Sequence, residues 1–135
     1  MHPALNNSLI ATFLWNSGIF SSFSIHLIGP KREFLSAFGE IIKHGVISGR
    51  KHFDLVTSKK PEEFSQQELI EIIKQSVSIK SNIVRKDPKE TTGLRKVLNF
   101  GHTIGHAIES LSWKTNKPLL HGEAVALGMI VESHL

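Results

Sequence analysis

The stretch from residue 93 to 110 constrains the fold most strongly, because polar side chains recur along it at helical spacing. Arg95, Asn99, His102 and His106 follow one another at intervals of four, three and four residues. On an α-helix this spacing places all four in one line. A neighbouring face would bury four apolar residues against a core, namely Leu94, Val97, Leu98 and Ile104. The sequence therefore predicts a packed helix over 94–110 that carries a polar line.

Two glycines interrupt this predicted helix. Gly101 and Gly105 each cost a helix interior about 1 kcal/mol relative to alanine. Glycines kept at that cost are typical of places where another backbone, a ligand or a metal comes close. The polar line is therefore expected to border a close contact or a binding site.

Histidines and one carboxylate suggest what such a site could hold. His102 and His106 alone match many helices by chance, and hydrogen-bonded core histidines are the ordinary alternative. A third histidine, His121, lies downstream, and an apolar helix upstream carries Glu40 and Lys43, which in the simplest reading form an exposed ion pair. One carboxylate and two imidazoles are a typical ligand set for a catalytic zinc.

Composition limits the kinds of ligand and partner that the chain is expected to bind. The 135 residues suffice for one domain. With no cysteine, a metal must take nitrogen and oxygen ligands. The net charge of +4 comes from scattered basic residues, and tyrosine is absent, so a small anion is favoured over nucleic acid. Residues 8–20 are apolar but too short to span a bilayer, and no targeting segment is recognised.

The remaining pattern predicts a mainly α fold. A helix over 31–47 has a broad apolar face, formed by Phe34, Leu35, Phe38, Ile41, Ile42 and Val46. Ser65 and Glu68 form a capping box before a long helix to about Arg85, on which Lys80 by itself is an ordinary solvated charge. Residues 124–135 predict a buried helix. Residues 1–29 show no sustained period, apart from a short strand predicted at 23–27.

Several blocks of sequence resemble one enzyme family. They are GLRKVLNFGHTIGHAIE at 93–109, HGEAVALGM at 121–129, PKREFL at 30–35 and EIIKHG at 40–45. In order and spacing they closely resemble 3-dehydroquinate synthase. The resemblance covers residues 30–135, matches 1–29 poorly, and implies the helical C-terminal domain of that family, incomplete at its C-terminus and without the N-terminal α/β domain that binds NAD.

The resemblance implies a function. The family acts in the shikimate pathway, converting 3-deoxy-D-arabino-heptulosonate 7-phosphate to 3-dehydroquinate and phosphate. It uses a divalent metal, zinc or in some cases cobalt, together with NAD in the full-length enzyme. The implied location is cytoplasmic, with a sugar phosphate as partner, no nucleic acid or membrane, and a homo-oligomer as one arrangement.

The resemblance also assigns residues. Glu40, His102 and His121 would be the metal ligands, whereas His106 would hydrogen-bond within the site. The substrate or its phosphate would contact four further residues, namely Lys43, Lys80, Arg95 and Asn99. Asp87 and Glu90 resemble acidic residues that support the site. No residue of this chain is assigned to NAD.

Two other functions remain open at this point. The chain could be a non-catalytic helical domain that keeps metal affinity or an oligomer interface. It could also be part of a related sugar-phosphate cyclase, because the metal set is shared across that superfamily.

We predict that the isolated 135-residue chain does not convert the heptulosonate phosphate. The first step is hydride transfer to NAD, for which no protein side chain can substitute, and the sequence has no strand followed by a glycine-rich turn and a helix for the pyrophosphate. Phosphate release should therefore be no faster than that of a His102→Ala control, even with added zinc and NAD. Release above that control would contradict the prediction.

Overall fold

The computed structural model describes residues 31–135, and these residues form helices without a strand. The α-helices are α1 Lys31–Ser48, α2 Arg50–Val56, α3 Gln66–Lys86, α4 His102–Ser112 and α5 His121–Glu132. Short 3₁₀ helices span Pro61–Glu63 and Leu94–Asn99. The prediction of a mainly α fold is confirmed, whereas the strand predicted at 23–27 lies outside the described residues. Within the described range, no helix is both long and apolar enough to cross a membrane.

One core lies where α1 packs against α2 and α3. The ring of Phe38 stacks on Phe64 with 5.8 Å between centroids and meets Phe34 edge-on at 5.9 Å. Leu35 and Val46, which the periodicity assigned to the same buried face, are instead 37% and 46% exposed. The buried stripe of α1 is therefore narrower than its apolar sequence.

The capping box that starts α3 is confirmed. Ser65 Oγ accepts from the backbone N–H of Glu68, and the Glu68 carboxylate accepts in return from the backbone N–H of Ser65. Both bonds satisfy donors that a helix start leaves without intrahelical partners. Lys59 Nζ lies 2.7 Å from the same carboxylate, and with the Ser65 hydrogen bonds it lowers the pKa of Glu68 to about 2.

The predicted continuous helix over 94–110 is wrong. Gly93 and Gly101 have φ angles of 83° and 80°, a left-handed conformation that favours glycine and interrupts a right-handed helix. Residues 94–99 accordingly form a 3₁₀ helix, and α4 begins only at His102. Arg95 and Asn99 therefore do not share one α-helix with the histidines.

Two predicted apolar surfaces are also less buried than expected. Leu94 and Val97 are 40% and 38% exposed, because the 3₁₀ helix lacks the periodicity that would have turned them inward. α5 ends at Glu132 rather than continuing to Leu135. One face of α5 is buried through Ala124, Val125 and Met129, whereas Ile130 is 60% exposed.

α4 and α5 run antiparallel and touch through their backbones. A Cβ added at Gly101 would lie 2.7 Å from the carbonyl oxygen of Val125, and one added at Gly105 would lie 3.1 Å from that of Ala124. From the other side, Gly128 faces the backbones of Gly101 and Gly105. The close approach predicted from the glycines is therefore that of another helix backbone.

We predict that Gly128→Ala destabilises the chain strongly. The added methyl group would overlap the carbonyl of Gly101 and force the two helices apart, and overpacking of this kind costs about 1–3 kcal/mol or more. Urea unfolding followed by circular dichroism should show a lower midpoint. The matched control on the same helix is Ile130→Ala, an exposed position expected to change stability by less than about 1 kcal/mol. Equal midpoints for the two variants would show that the helices can separate at little cost.

Candidate metal centre

Four side chains from three helices converge beside the antiparallel α4–α5 pair. Glu40 comes from the middle of α1, His102 and His106 from the first turns of α4, and His121 from the start of α5. The rings of His102 and His121 have centroids 5.3 Å apart. Residues 81 positions apart in the chain thus meet in one cluster.

Close packing of α1 on α5 brings Glu40 to the histidines. A Cβ added at Gly39 would lie 2.6 Å from the carbonyl oxygen of Gly122, so no larger residue fits there without displacement. Ser36 Oγ accepts from the backbone N–H of Gly122 at 3.0 Å. Arg32 donates to both carboxylate oxygens of Glu123, at 2.8 and 2.7 Å. Together these contacts fix the register of α1 beside the first turn of α5.

The two carboxylate oxygens of Glu40 have different surroundings. Oε2 accepts from Lys43 Nζ at 2.6 Å. Oε1 is buried and has no hydrogen-bond partner. Its neighbours are Nε2 of His102 at 3.7 Å and Nε2 of His121 at 3.8 Å, distances too long for hydrogen bonds.

The other ring nitrogens indicate where the imidazole protons lie. His102 Nδ1 faces the carbonyl oxygen of Phe100 at 3.4 Å, and His121 Nδ1 lies 3.1 Å from Oε2 of Glu109. A carbonyl and a carboxylate only accept hydrogen bonds, so in both rings Nδ1 carries the proton. A neutral imidazole then has its lone pair on Nε2. Two lone pairs and the carboxylate oxygen of Glu40 therefore face one another.

The surrounding charges favour the unprotonated forms of Glu40 and His102. Burial raises the pKa of Glu40, but the charge and hydrogen bond of Lys43 outweigh it, so the pKa is lower than usual and the carboxylate is ionised. Burial, followed by repulsion from Lys43, lowers the pKa of His102. His102 is therefore a neutral imidazole at neutral pH.

This geometry fits a divalent cation. Two ligands at zinc–nitrogen and zinc–oxygen distances of about 2.0–2.2 Å in tetrahedral geometry are separated by about 3.4 Å, close to the distances between Glu40 Oε1 and the two Nε2 atoms. A buried oxygen without a donor costs free energy that a bound cation would offset. The residues present therefore fit a metal with nitrogen and oxygen ligands.

His106 offers a second ligand set that overlaps the first. Its ring lies 5.3 Å from that of His102 and 5.6 Å from that of His121, measured between centroids. Ligand atoms of the three histidines all lie within 4.8 Å of one another. His106 is exposed, whereas Glu40 Oε1 is buried, which favours the set that includes Glu40.

Two of the predicted phosphate-binding cations, Lys43 and Lys80, lie within electrostatic range of Glu40. Lys43 is buried and paired with Glu40. Burial lowers the pKa of Lys80, with repulsion from Lys43 and Arg95 adding to it and attraction by Glu40 opposing it. These influences place Lys80 within electrostatic range of all three residues. Arg95 Nη1 donates to the carbonyl oxygen of Pro88 at 3.2 Å.

Asp87 organises the loop that carries Arg95. Its buried carboxylate accepts from the backbone N–H groups of Thr91, Thr92 and Arg95 at 2.8, 3.2 and 3.1 Å. Burial raises the pKa of Asp87, but the hydrogen bonds together lower it by more. The pKa therefore lies below its usual value, and the residue is ionised at neutral pH. This contact joins Asp87 to the backbone of Arg95, and its supporting role at the substrate site stays a prediction.

Asn99 and Glu90 border a different space. Both line an open cavity of about 720 Å³, which is also bounded by Val46, Ile47, Gly93, Lys96, Val97, Phe100, Thr103 and Glu132. Glu90 has a positive φ of 55°, which is uncommon for a residue with a side chain. The roles predicted for Asn99 and Glu90 at the substrate site stay predictions.

Sequence reasoning missed two carboxylates that hold the histidine-bearing helices. Glu109 on α4 contacts His121, as described above. Glu132, the last residue of α5, accepts from the backbone N–H groups of Gly101 and Ile104 at 2.7 and 3.0 Å and so caps the start of α4, where no side chain of its own does. Their spacing along the chain shows nothing of these contacts, although Glu109 follows the polar line by three residues.

Comparison with known proteins gives one consistent result. A family model described as 3-dehydroquinate synthase C-terminal matches residues 37–135. The 3-dehydroquinate synthase of Parabacteroides distasonis is 48% identical over 103 residues, covering 76% of this chain and 29% of the relative. That of Thermodesulfovibrio yellowstonii is 39% identical over 136 residues, covering 99% of this chain and 37% of the relative.

A third relative, the 3-dehydroquinate synthase of Methylacidiphilum infernorum, is 48% identical over 98 residues, covering 73% of this chain and 25% of the relative. The chain thus spans between 25% and 37% of the length of these three proteins. Since the family model matches most of the chain and the blocks that carry Glu40 and the histidines lie inside the matched range, the chain belongs to the 3-dehydroquinate synthase family, within its C-terminal domain.

Proposed function

We propose that this chain supplies the metal and substrate-phosphate site of a 3-dehydroquinate synthase. The enzyme would convert 3-deoxy-D-arabino-heptulosonate 7-phosphate to 3-dehydroquinate and phosphate. The observation that carries the proposal is the convergence of three acceptors, Glu40 Oε1 and the Nε2 atoms of His102 and His121, with no hydrogen bond between them. The names of the relatives support the reaction.

In this proposal Glu40, His102 and His121 hold a divalent metal, with zinc as the first candidate and cobalt as the second. The bound metal would polarise the substrate hydroxyl and the ketone formed from it. The lone pairs on the two Nε2 atoms are aimed by Phe100 and Glu109, while Lys43 holds the other oxygen of Glu40. The carboxylate therefore offers one oxygen to the cation.

Lys43, Lys80 and Arg95 would stabilise the phosphate of the substrate. Burial, followed by repulsion from Lys43 and Arg95, lowers the pKa of Lys80, and an anion bound between these cations would relieve that repulsion. His106 is exposed beside the metal ligands and would exchange hydrogen bonds with the substrate. NAD would accept the hydride, and no residue of this chain is assigned to it. A charged sugar phosphate does not cross membranes freely, so we place the reaction in the cytoplasm.

We predict that Glu40→Ala and His121→Ala each weaken zinc binding by about 100-fold or more, because each removes a ligand, a larger change than the 10–100-fold loss for an outer residue. Isothermal titration of the chelator-treated chain with zinc measures this. His106→Ala should bind zinc nearly as well as the unmutated chain. His134→Ala is the matched control, since His134 lies outside the cluster. If His106→Ala loses zinc while Glu40→Ala keeps it, the metal is bound by the three histidines instead.

We predict that Arg95→Ala weakens binding of inorganic phosphate by about tenfold, the equivalent of about 1.4 kcal/mol for one charge-assisted hydrogen bond. Calorimetric titration with phosphate at low ionic strength provides the measurement. Arg85→Ala is the control of equal charge, because Arg85 is exposed and contacts Asn82. Equal affinities for the two variants would show that Arg95 acts only as a surface charge.

A further inference from the structure

Glu109 lies behind the metal ligands rather than among them. It follows His102 by seven residues on α4 and so shares its face two turns along. Its side chain is 23% exposed, and Oε2 lies 3.1 Å from Nδ1 of His121. The carboxylate therefore spans the gap between α4 and the first residue of α5.

The contact determines which nitrogen of His121 is free. An ionised carboxylate has no proton to donate, so the hydrogen bond requires the proton on Nδ1 of the ring. The lone pair then lies on Nε2, the atom that faces Glu40 Oε1 at 3.8 Å. We propose that Glu109 is a positioning residue that fixes the tautomer and ring orientation of His121, so that Nε2 is ready for a divalent cation. The cation itself rests on the proposed function.

His121 needs such a partner more than His102 does. The His121 side chain is 41% exposed, twice the 20% of His102. His102 is held by a backbone carbonyl two residues away, which no side-chain substitution removes. His121 depends on a side chain from another helix, so loss of Glu109 should affect one ligand and leave the other in place.

The backbone around Glu109 keeps the two helices at a fixed distance. The carbonyl of Glu109 accepts from Ser112 Oγ at 2.7 Å. Ser112 Oγ in turn accepts from the backbone N–H of Leu119 at 2.9 Å, two residues before His121. The end of α4 is thus tied to the segment that leads into α5. These hydrogen bonds hold the carboxylate of Glu109 close to Nδ1 of His121.

The test compares Glu109→Ala with Glu109→Gln. Alanine removes the acceptor and favours the helix, whereas glutamine keeps an acceptor oxygen without the charge. Long-range ¹⁵N–¹H spectra of the metal-free chain report the protonated nitrogen of His121, whose signals are identified by their loss in His121→Ala. We expect the Nδ1–H form in the unmutated chain and in Glu109→Gln, and a shift towards Nε2–H in Glu109→Ala.

Zinc affinity gives the second readout. Glu109→Ala should bind zinc about 10–100-fold more weakly, the usual effect of losing an outer partner of a metal-bound histidine, and Glu109→Gln should recover most of the loss. Glu132→Gln is the matched control, because Glu132 joins the same two helices without touching His121. It should leave the His121 tautomer unchanged.

Two outcomes overturn the inference. One is an unchanged Nδ1–H tautomer in Glu109→Ala, and the other is an equal change in Glu132→Gln, which would indicate a general loosening of the helix pair. If the unmutated chain binds no zinc, the proposed function fails. The tautomer measured in the metal-free chain still decides whether Glu109 sets the ring of His121.

Discussion

The backbone contact between α4 and α5 is the constraint on which the rest of the structure depends. Side chains normally keep helix axes 8–10 Å apart, and at Gly101, Gly105 and Gly128 there is none to do so. The antiparallel pair places the start of α4 beside the end of α5 and the start of α5 beside the second and third turns of α4. With the two backbones in contact, the rings of His102 and His121 near the two starts approach to 5.3 Å between centroids.

Two carboxylates form hydrogen bonds between α4 and α5 in both directions. Glu132 at the end of α5 holds the backbone just around His102, and Glu109 on α4 holds the side chain of His121. Each helix thus supports the histidine of the other. α1 joins them through a further glycine contact, between Gly39 and Gly122, and Glu40 follows Gly39 directly. The residue next to this close backbone contact is therefore the one that completes the cluster.

The sequence was sufficient for most local structure and insufficient for contacts between helices. Apolar periodicity located α1 and α3, and the Ser65–Glu68 pair marked the start of α3, because both signals act within one helix. The break at Gly101 was missed, since a glycine that permits close packing and one that adopts a positive φ look alike in sequence. Gly101 does both.

The candidate site divides in the same way. Residue types and the family resemblance predicted Glu40, His102 and His121 as metal ligands, and the fold brings these three side chains together. The contacts of Glu109 and Glu132 could not be predicted, because a carboxylate that accepts hydrogen bonds from another helix leaves no local pattern in the sequence. Leu94 and Val97 were assigned to a buried face from a helical period that the 3₁₀ segment does not follow. Tertiary position, rather than propensity, decided each of these differences.

Electrostatics then link the metal and phosphate functions proposed for this site. Glu40 and Lys43 are both largely buried, and as a pair their charges cancel. A neutral His102 adds no charge. A divalent cation bound at Glu40 Oε1 would therefore give the cluster a net positive charge in a poorly solvated place, where it is costly unless an anion follows. Lys80 lies within range to add to that field, and Arg95 lies within range of Lys80. Metal binding would thus strengthen the attraction for a phosphorylated substrate, and a bound phosphate would in turn strengthen the attraction for the metal.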